Sequence, residues 1–223
     1  MEVTSKLVSA PSPMIYVSFD TTTALSDEKI REITFGLECS GQKFIWVLRE
    51  AEKRDIFSGR GEARKIELPQ GFEEMAEARD SGVVVRDSAP QLEIFGHPAT
   101  GGFLSRCEWN SFCMEGISMG VPILARRMHS DQPSNAILIS QVIKIGLRVK
   151  DCISQDKVMK SSAIQGAVEA LMASEQGDEI RKRAAELGVA IRGQWTRAEF
   201  AWPSWTPSSI ISLGNFSPFL FCC

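Results

Sequence analysis

The strongest constraint on the fold is the alternation of short apolar runs with helix-like segments. Runs rich in β-branched and aromatic residues predict strands at 14–19, 44–48, 83–85, 101–104, 121–125 and 147–149. Short strands that alternate with helices form a parallel sheet covered on both faces. The sequence therefore predicts an α/β fold, a Rossmann-like parallel sheet with helices on both faces.

Helix signals lie between these runs. Ser26 precedes two acidic residues and can cap a helix in which Ile30, Ile33 and Leu37 share one face, with Gly41 ending it. Further helices are predicted at 91–95, 110–119, 131–145, 157–172 and 178–191. The charged stretch 49–78 reads as a long excursion outside the core.

Composition narrows the function classes. The 223 residues are 43% hydrophobic and 24% charged, which is typical of a soluble globular domain. A net charge of -3 gives no basic excess, so no nucleic-acid partner is expected. The absence of a signal peptide and of a long apolar run predicts no membrane association. Six scattered cysteines and two histidines predict a reducing, cytoplasmic location and no metal site.

Three regions are expected along the chain. Residues 1–13 read as a linker or the remnant of a preceding domain, 14–193 as the α/β domain, and 194–223 as an irregular tail that is uncharged over most of its length. The tail from Phe200 onward has no charged side chain and no regular period. It is either a membrane or partner segment or, as we favour, a terminus that replaces an expected helix.

Polar residues concentrate where strands end. In parallel sheets ligands bind beyond the carboxyl ends of the strands, so the loops after Phe19, Val85, Leu104 and Ala125 are expected to share one crevice. Hydroxyl-rich residues 20–23 suit a phosphate or a sugar oxygen, although such loops are more often simple caps. Further on, Asn110 and Ser111 offer donors at a helix start, where an anion is favoured.

Carboxylates and amides complete this second cluster. Glu115 can accept hydrogen bonds from two vicinal hydroxyls, such as those of a ribose, and Asp131 with Gln132 offers the same to a hexose. Cys107 and Cys113 are expected to be buried small side chains, not reactive thiols. His97 and His129 are expected mainly as satisfied loop or helix-end residues.

The ordered set of these residues resembles the signature box of plant UDP-dependent glycosyltransferases. The stretches SGQKFIWVLR, APQLEI, GISMGVP and MHSDQP are similar to the zeatin O-glucosyltransferase group. The resemblance runs over about residues 14–191 and covers the C-terminal, nucleotide-sugar-binding half of that family's two-domain GT-B fold. It implies inverting transfer of a sugar from a UDP-sugar to a hydroxyl of a small acceptor such as the cytokinin zeatin.

The resemblance also implies roles for individual residues. The nucleoside would lie against Ser88, Ala89 and Gln91, with Glu115 at the ribose hydroxyls. The implied diphosphate contacts are Thr21, Arg106, Asn110 and Ser111, and the implied sugar contacts are Trp109, Asp131 and Gln132. UDP-glucose would be the donor substrate, UDP-xylose a near alternative, and no metal or other cofactor is implied.

Several positions depart from the family pattern. Ser88 replaces a uracil-stacking tryptophan, which removes an aromatic contact of about 0.5–1.5 kcal/mol, and Arg106 replaces a histidine. Glu108 replaces a glycine and places a carboxylate near the expected diphosphate. Asp20 replaces another glycine, and Arg126 and Arg127 replace a Trp-Pro pair. One extra residue between Ser111 and Glu115 would rotate the helix by about 100° unless a bulge absorbs it.

The family's general base is a histidine in its N-terminal domain, and no segment of this chain matches that domain. Two hypotheses follow. The chain is a UDP-glycosyltransferase by descent, or it is a catalytically inactive donor-domain fragment that binds a UDP-sugar weakly.

Overall fold

Six parallel strands form one sheet in this computed structural model, which describes residues 12–19, 26–48, 67–86, 89–107, 113–126, 132–149 and 159–195. The strands are β1 Met14–Ser18, β2 Lys43–Val47, β3 Gly82–Val85, β4 Thr100–Ser105, β5 Ile123–Ala125 and β6 Gly146–Arg148. Their order is β3-β2-β1-β4-β5-β6, and every neighbouring pair is parallel. The predicted α/β fold with a parallel sheet is therefore confirmed.

Helices connect these strands along the chain. They are α1 Asp27–Cys39, α2 Phe72–Ala78, α3 Gln91–Gly96, α4 Met114–Met119, α5 Gln132–Ile137, α6 Ser161–Ala173 and α7 Glu175–Trp195. A π-helical segment, Leu138–Val142, continues α5. These helices provide the crossovers that parallel strands require.

Helix α1 begins and packs as the sequence predicts. The Oγ atom of Ser26 accepts a hydrogen bond from the main-chain N–H of Lys29 across 3.4 Å, which satisfies one free amide of the first turn. Ile30, Ile33 and Leu37 are buried on the side of α1 that faces the sheet. Burying one such side chain contributes about 1.5–3 kcal/mol, so this stripe fixes which face of α1 meets the sheet.

The strands separate two apolar cores because their side chains alternate between the faces of the sheet. Tyr16 and Phe103 lie in one core, which the apolar sides of α3, α4 and α7 and the segment Leu138–Val142 cover. Val17 and Leu104 lie in the other, together with α1, α2 and α6. Helices thus cover both faces, as expected for a buried parallel sheet.

The prediction of an excursion outside the core over 49–78 was wrong in its last part. Helix α2 begins after Gly71, which has a φ of +79°, and its first residue, Phe72, is 3% exposed. The Phe72 ring stacks on Phe44 of β2, with centroids 5.8 Å apart. A helix of seven residues is too short to show a clear helical period in the sequence. The charged residues around it therefore hid the fact that Phe72 belongs to the core.

The prediction of one regular helix over 131–145 also needs correction. Helix α5 ends at Ile137, and the wider π-helical turns that follow end at Val142. Lys144 then takes a left-handed conformation with a φ of 59°. Apolar spacing cannot distinguish an α-helical from a π-helical turn over five residues. The predicted tail, 194–223, lies outside the described residues from 196 onward.

Candidate functional site

The strand order places a topological switch point between β1 and β4. From β1 the chain moves through β2 to β3 at one edge, and from β4 it moves through β5 to β6 at the other. The chain therefore leaves β1 and β4 for opposite edges of the sheet, and ligands of such sheets bind at the carboxyl end of the strands at this point. The predicted common crevice is consistent with this topology, because all the strands concerned are parallel.

Gln91 and Glu115 meet directly on one side of this edge. The Nε2 atom of Gln91, the first residue of α3, donates to Oε2 of Glu115 on α4 across 2.6 Å. Both side chains are half-buried, so each keeps a surface open to solvent. Within the described residues the other carboxylate oxygen of Glu115 has no hydrogen-bond partner. Two residues predicted to lie near the nucleoside are thus brought together, with acceptor capacity remaining.

The extra residue before Glu115 does not turn its side chain away from Gln91. The backbone at Cys113, immediately before α4, is π-helical, which is a turn wider by one residue than an α-helical one. A turn of this kind absorbs a one-residue insertion locally and leaves the following helix in place. The π-helical residue at Cys113 is the kind of bulge that the sequence analysis allowed for, and Glu115 contacts Gln91 beyond it.

Two arginines lie at the carboxyl ends of β4 and β5. The main-chain N–H of Arg126 donates to the carbonyl oxygen of Ser105 across 2.8 Å, so the two strand ends remain paired up to this point. Arg106 is 1% exposed and Arg126 is 3% exposed. The guanidinium of Arg126 lies 5.6 Å from the ring centroid of Phe19 at the end of β1, a cation–π distance. Positive charge is thus concentrated at the switch point.

The backbone at Cys107 has a left-handed conformation, with a φ of 61°. Two contacts hold it: its N–H donates to Oγ of Ser105 across 3.1 Å, and its carbonyl accepts from Nδ2 of Asn135 across 3.0 Å. A non-glycine residue in this region costs about 1–3 kcal/mol and persists only where its surroundings fix it, and such residues cluster at functional sites. Asn135 therefore ties the end of β4 to helix α5.

The remaining described candidates have mostly structural positions. Ala89 packs against the core that contains Tyr16. His97 follows α3, and its Nδ1 accepts from the N–H of Ala99 across 3.2 Å, as predicted for a satisfied helix-end histidine. Cys107 and Cys113 are fully buried free cysteines, which confirms the expectation of small core side chains.

Several predicted contacts lie outside the described residues, so their roles stay predictions. They are Thr21, Ser88, Trp109, Asn110, Ser111 and Asp131, together with the departures at Asp20, Glu108 and Arg127 and the histidine at 129. Gln132 is described only as the first backbone position of α5. Helix α5 also carries Asn135, which is hydrogen-bonded to Cys107 at the end of β4. The predicted sugar contact Gln132 therefore lies on the helix that is tied to this strand end.

The sequence analysis missed two residues that organise this edge. Tyr16 donates from its hydroxyl to Oε1 of Gln91 across 3.3 Å, and Asn135 is 6% exposed. The available signal was a polar group inside an apolar run for Tyr16 and one directly before an apolar run for Asn135, because a buried tyrosine hydroxyl or amide almost always has a partner. The sequence does not identify these partners, because Tyr16 contacts a residue 75 positions away and Asn135 contacts one 28 positions away.

Across the described ranges there is no group of three or more His, Cys, Asp or Glu side chains that could hold a metal ion. In the same ranges no helix combines the length and the apolar content that spanning a bilayer demands.

The strand order and the polar residues at its switch point define a Rossmann-like α/β domain of the nucleotide-binding class. A family model described as "UDP-glucoronosyl and UDP-glucosyl transferase" matches residues 7–182. The chain belongs to this family.

Curated relatives within the family have narrower names. The chain is 56% identical over 181 residues to zeatin O-glucosyltransferase of Phaseolus lunatus, which is 81% of this chain and 39% of that protein. It is also 56% identical over 177 residues to zeatin O-xylosyltransferase of Phaseolus vulgaris, which is 79% of this chain and 38% of the relative. The chain therefore spans about two fifths of the length of the curated relatives that it matches.

Solved structures agree with the fold. A UGT transferase from Siraitia grosvenorii in complex with UDP superimposes with a TM-score of 0.73 and 32% identity, over 86% of this chain and 41% of that chain. Phytolacca americana UGT2, complexed with UDP-2fluoro-glucose and pterostilbene, gives a TM-score of 0.71 and 31% identity, over 86% and 40%. The Rossmann-like fold implied by the resemblance is thereby confirmed.

Proposed function

We propose that this chain forms the UDP-sugar-binding half of a glycosyltransferase that transfers glucose from UDP-glucose to a hydroxyl of a small acceptor such as zeatin. The observation that carries the proposal is the hydrogen bond between Gln91 and Glu115 beside the switch point. The family resemblance assigns both residues to the nucleoside. The names of the bean relatives support a zeatin-like acceptor.

In the proposed reaction the UDP-sugar-binding half must hold the UDP leaving group. In the proposed inverting reaction the acceptor oxygen attacks the anomeric carbon, the bond from that carbon to the UDP oxygen breaks, and the acceptor proton passes to a base. Negative charge then develops on the diphosphate, where fixed positive charge and donors lower the barrier. We assign this role to Arg106, with Asn110, Ser111 and Thr21 as the donors that the resemblance implies. No metal is invoked.

The donor sugar is proposed on similar grounds. Trp109, Asp131 and Gln132 are the implied contacts to the transferred sugar. Glucose is favoured, although one of the two bean relatives carries the name of a xylosyltransferase. We also propose a cytoplasmic location, which the free cysteines Cys39, Cys107 and Cys113 support because such thiols persist in reducing compartments.

The first test is calorimetric titration of the purified chain with UDP-glucose. We expect measurable binding, and a loss of at least about tenfold in Glu115→Ala because a charge-assisted hydrogen bond contributes about 1.5–3 kcal/mol. Glu93→Ala is the matched control, since Glu93 is an exposed carboxylate on α3 and its removal changes the net charge equally. An absence of binding at millimolar UDP-glucose would contradict the proposal.

A second variant tests the departures from the family pattern. The double change Ser88→Trp with Glu108→Gly should raise the affinity for UDP-glucose, because it adds a stacking ring and removes a carboxylate from the expected diphosphate position. The control is Glu186→Gln on α7, which removes one exposed charge remote from the site. An unchanged affinity would mean that these positions do not touch the donor.

Transfer itself needs an acceptor-binding half. We would join this chain to the part of the Phaseolus lunatus enzyme that it does not match, and measure UDP release with zeatin. We expect turnover by this hybrid, and a loss of at least about tenfold in kcat/KM for UDP-glucose in Glu115→Ala. Binding of UDP-glucose without turnover in the hybrid would instead favour the inactive donor-domain alternative.

A further inference from the structure

Three side chains form a continuous hydrogen-bonded series from the core to the two residues that the resemblance implies at the nucleoside. The hydroxyl of Tyr16 on β1 donates to Oε1 of Gln91 across 3.3 Å, and Nε2 of Gln91 donates to Oε2 of Glu115 across 2.6 Å. Tyr16 is 2% exposed, whereas Gln91 and Glu115 are half-buried. The series therefore connects a fixed position in the sheet to two side chains that a ligand can reach.

The direction of each hydrogen bond in this series is determined by chemistry. The Glu115 carboxylate only accepts, so the Gln91 amide must present its NH₂ group to it. The amide oxygen then points to Tyr16, whose hydroxyl donates. A flipped amide would place its oxygen against the carboxylate and would lose a charge-assisted bond, so the Tyr16 hydroxyl and Glu115 select the same orientation.

Packing keeps the Tyr16 hydroxyl in place. Its ring meets Phe95 of α3 edge-on at a centroid distance of 5.4 Å and lies 5.4 Å from the ring of Phe103 on β4. Phe95 and Phe103 also contact each other at 4.9 Å. Three mutually packed rings leave the tyrosine little rotational freedom, so its hydroxyl is a rigid reference point for Gln91.

We propose that Tyr16 is a positioning residue for recognition of the vicinal hydroxyls of the donor nucleotide's ribose, an inference that rests on the proposed function. Its hydroxyl fixes the Gln91 amide, which holds the Glu115 carboxylate in place for the ribose hydroxyls. Gln91 and Glu115 touch the ribose, and Tyr16 acts through them. Removal of the single hydroxyl oxygen should therefore weaken ribose recognition and leave contacts to base and diphosphate intact.

The test compares two ligands in two proteins. UDP and 2′,3′-dideoxy-UDP, which lacks both ribose hydroxyls, are titrated calorimetrically into the parent chain and into Tyr16→Phe. We expect Tyr16→Phe to weaken UDP binding about three- to tenfold, the range of one neutral hydrogen bond, and to leave dideoxy-UDP binding unchanged. An equal loss for both ligands, or no loss for either, would overturn the positioning role.

Phe95→Leu is the matched control, because it loosens the same aromatic cluster without removing the hydroxyl. It should lower the melting temperature, and it should change the ratio of UDP to dideoxy-UDP affinity less than Tyr16→Phe does, because the hydroxyl remains. If Phe95→Leu changes this ratio as much as Tyr16→Phe does, the effect belongs to packing and the proposal is wrong.

A measurement without nucleotide separates this proposal from the proposed function. In ¹⁵N-labelled chain, the side-chain amide protons of Gln91 should shift and exchange faster with solvent in both Tyr16→Phe and Glu115→Ala than in the parent. Unchanged Gln91 resonances in Tyr16→Phe would overturn the orienting contact itself. If they change but the parent fails to bind UDP, the orienting contact stands, and the proposed function and ribose role fail.

Discussion

Asn135 donates a hydrogen bond from Nδ2 to the main-chain carbonyl of Cys107 across 3.0 Å, and thereby joins α5 to the end of β4. The contact is buried, and the Cys107 backbone that it holds is left-handed. Asn110 and Ser111, which the resemblance implies as diphosphate contacts, follow Cys107 in the chain, and Gln132, an implied sugar contact, begins α5. We therefore expect this bond to support both groups. Its loss should affect stability and donor binding together.

Asn135→Ala should lower the free energy of unfolding by about 1–3 kcal/mol, because it leaves a buried carbonyl without its amide donor. Urea denaturation monitored by circular dichroism measures the change. Ser134→Ala, an exposed position on the same helix, is the control and should stay within about 0.5 kcal/mol of the parent. A similar stability for the two variants would show that the contact contributes nothing.

Close packing of α1 against α6 makes a second prediction. A Cβ atom at Gly36 would lie 2.6 Å from Cβ of Ile164 and 2.9 Å from the carbonyl oxygen of Ser161. Gly36→Ala should therefore destabilise the fold by about 1–3 kcal/mol from overpacking, less a gain in helix propensity of about 1 kcal/mol. Thermal unfolding should show a lower melting temperature.

Gly166→Ala is the matched substitution. Gly166 is exposed inside α6, and a Cβ there meets no atom within 4 Å. The same change from glycine to alanine should raise the free energy of unfolding by about 0.5–1 kcal/mol, since only the helix propensity term remains. Equal effects of the two substitutions would contradict the close approach at Gly36.

Local chemistry made a large part of the fold predictable. The six apolar runs became the six strands, because a strand buried on both faces must be apolar throughout its length. Ser26 was recognisable as a cap because side-chain oxygens satisfy amides at a helix start without any tertiary contact. Cys107 and Cys113 were correctly expected in the core from residue type alone, because a free cysteine behaves as a small apolar side chain.

Long-range contacts explain what the sequence did not reveal. Phe72 belongs to the core because its ring meets Phe44, and no pattern within the charged stretch 49–78 encodes that partner. The π-helical turn at Cys113 was foreseen only as one of two outcomes, because an inserted residue can rotate a helix or widen a turn. In the sequence Tyr16 is an ordinary strand residue, and its role depends on a hydrogen bond to Gln91 that only the structure reveals.

The end of the π-helical segment offers a last prediction. Lys144 is exposed and has a φ of 59°, where an L-residue costs about 1 kcal/mol relative to its right-handed conformation. Around it, the N–H of Ile143 donates to the carbonyl of Leu138, and the N–H of Ile145 donates to that of Ile139. These bonds fix the left-handed turn, so the strain cannot relax by a local change of conformation.

Lys144→Gly should consequently raise the free energy of unfolding by up to about 1 kcal/mol, reduced by the greater entropy of glycine in the unfolded chain. For this chain length the melting temperature should rise by about 2–4 °C per kcal/mol. Lys182→Gly is the matched control: Lys182 is equally exposed but lies inside α7, where glycine should cost about 1 kcal/mol. Scanning calorimetry of both variants should give shifts of opposite sign, and a fall in both would mean that Lys144 is not held in the left-handed region in solution.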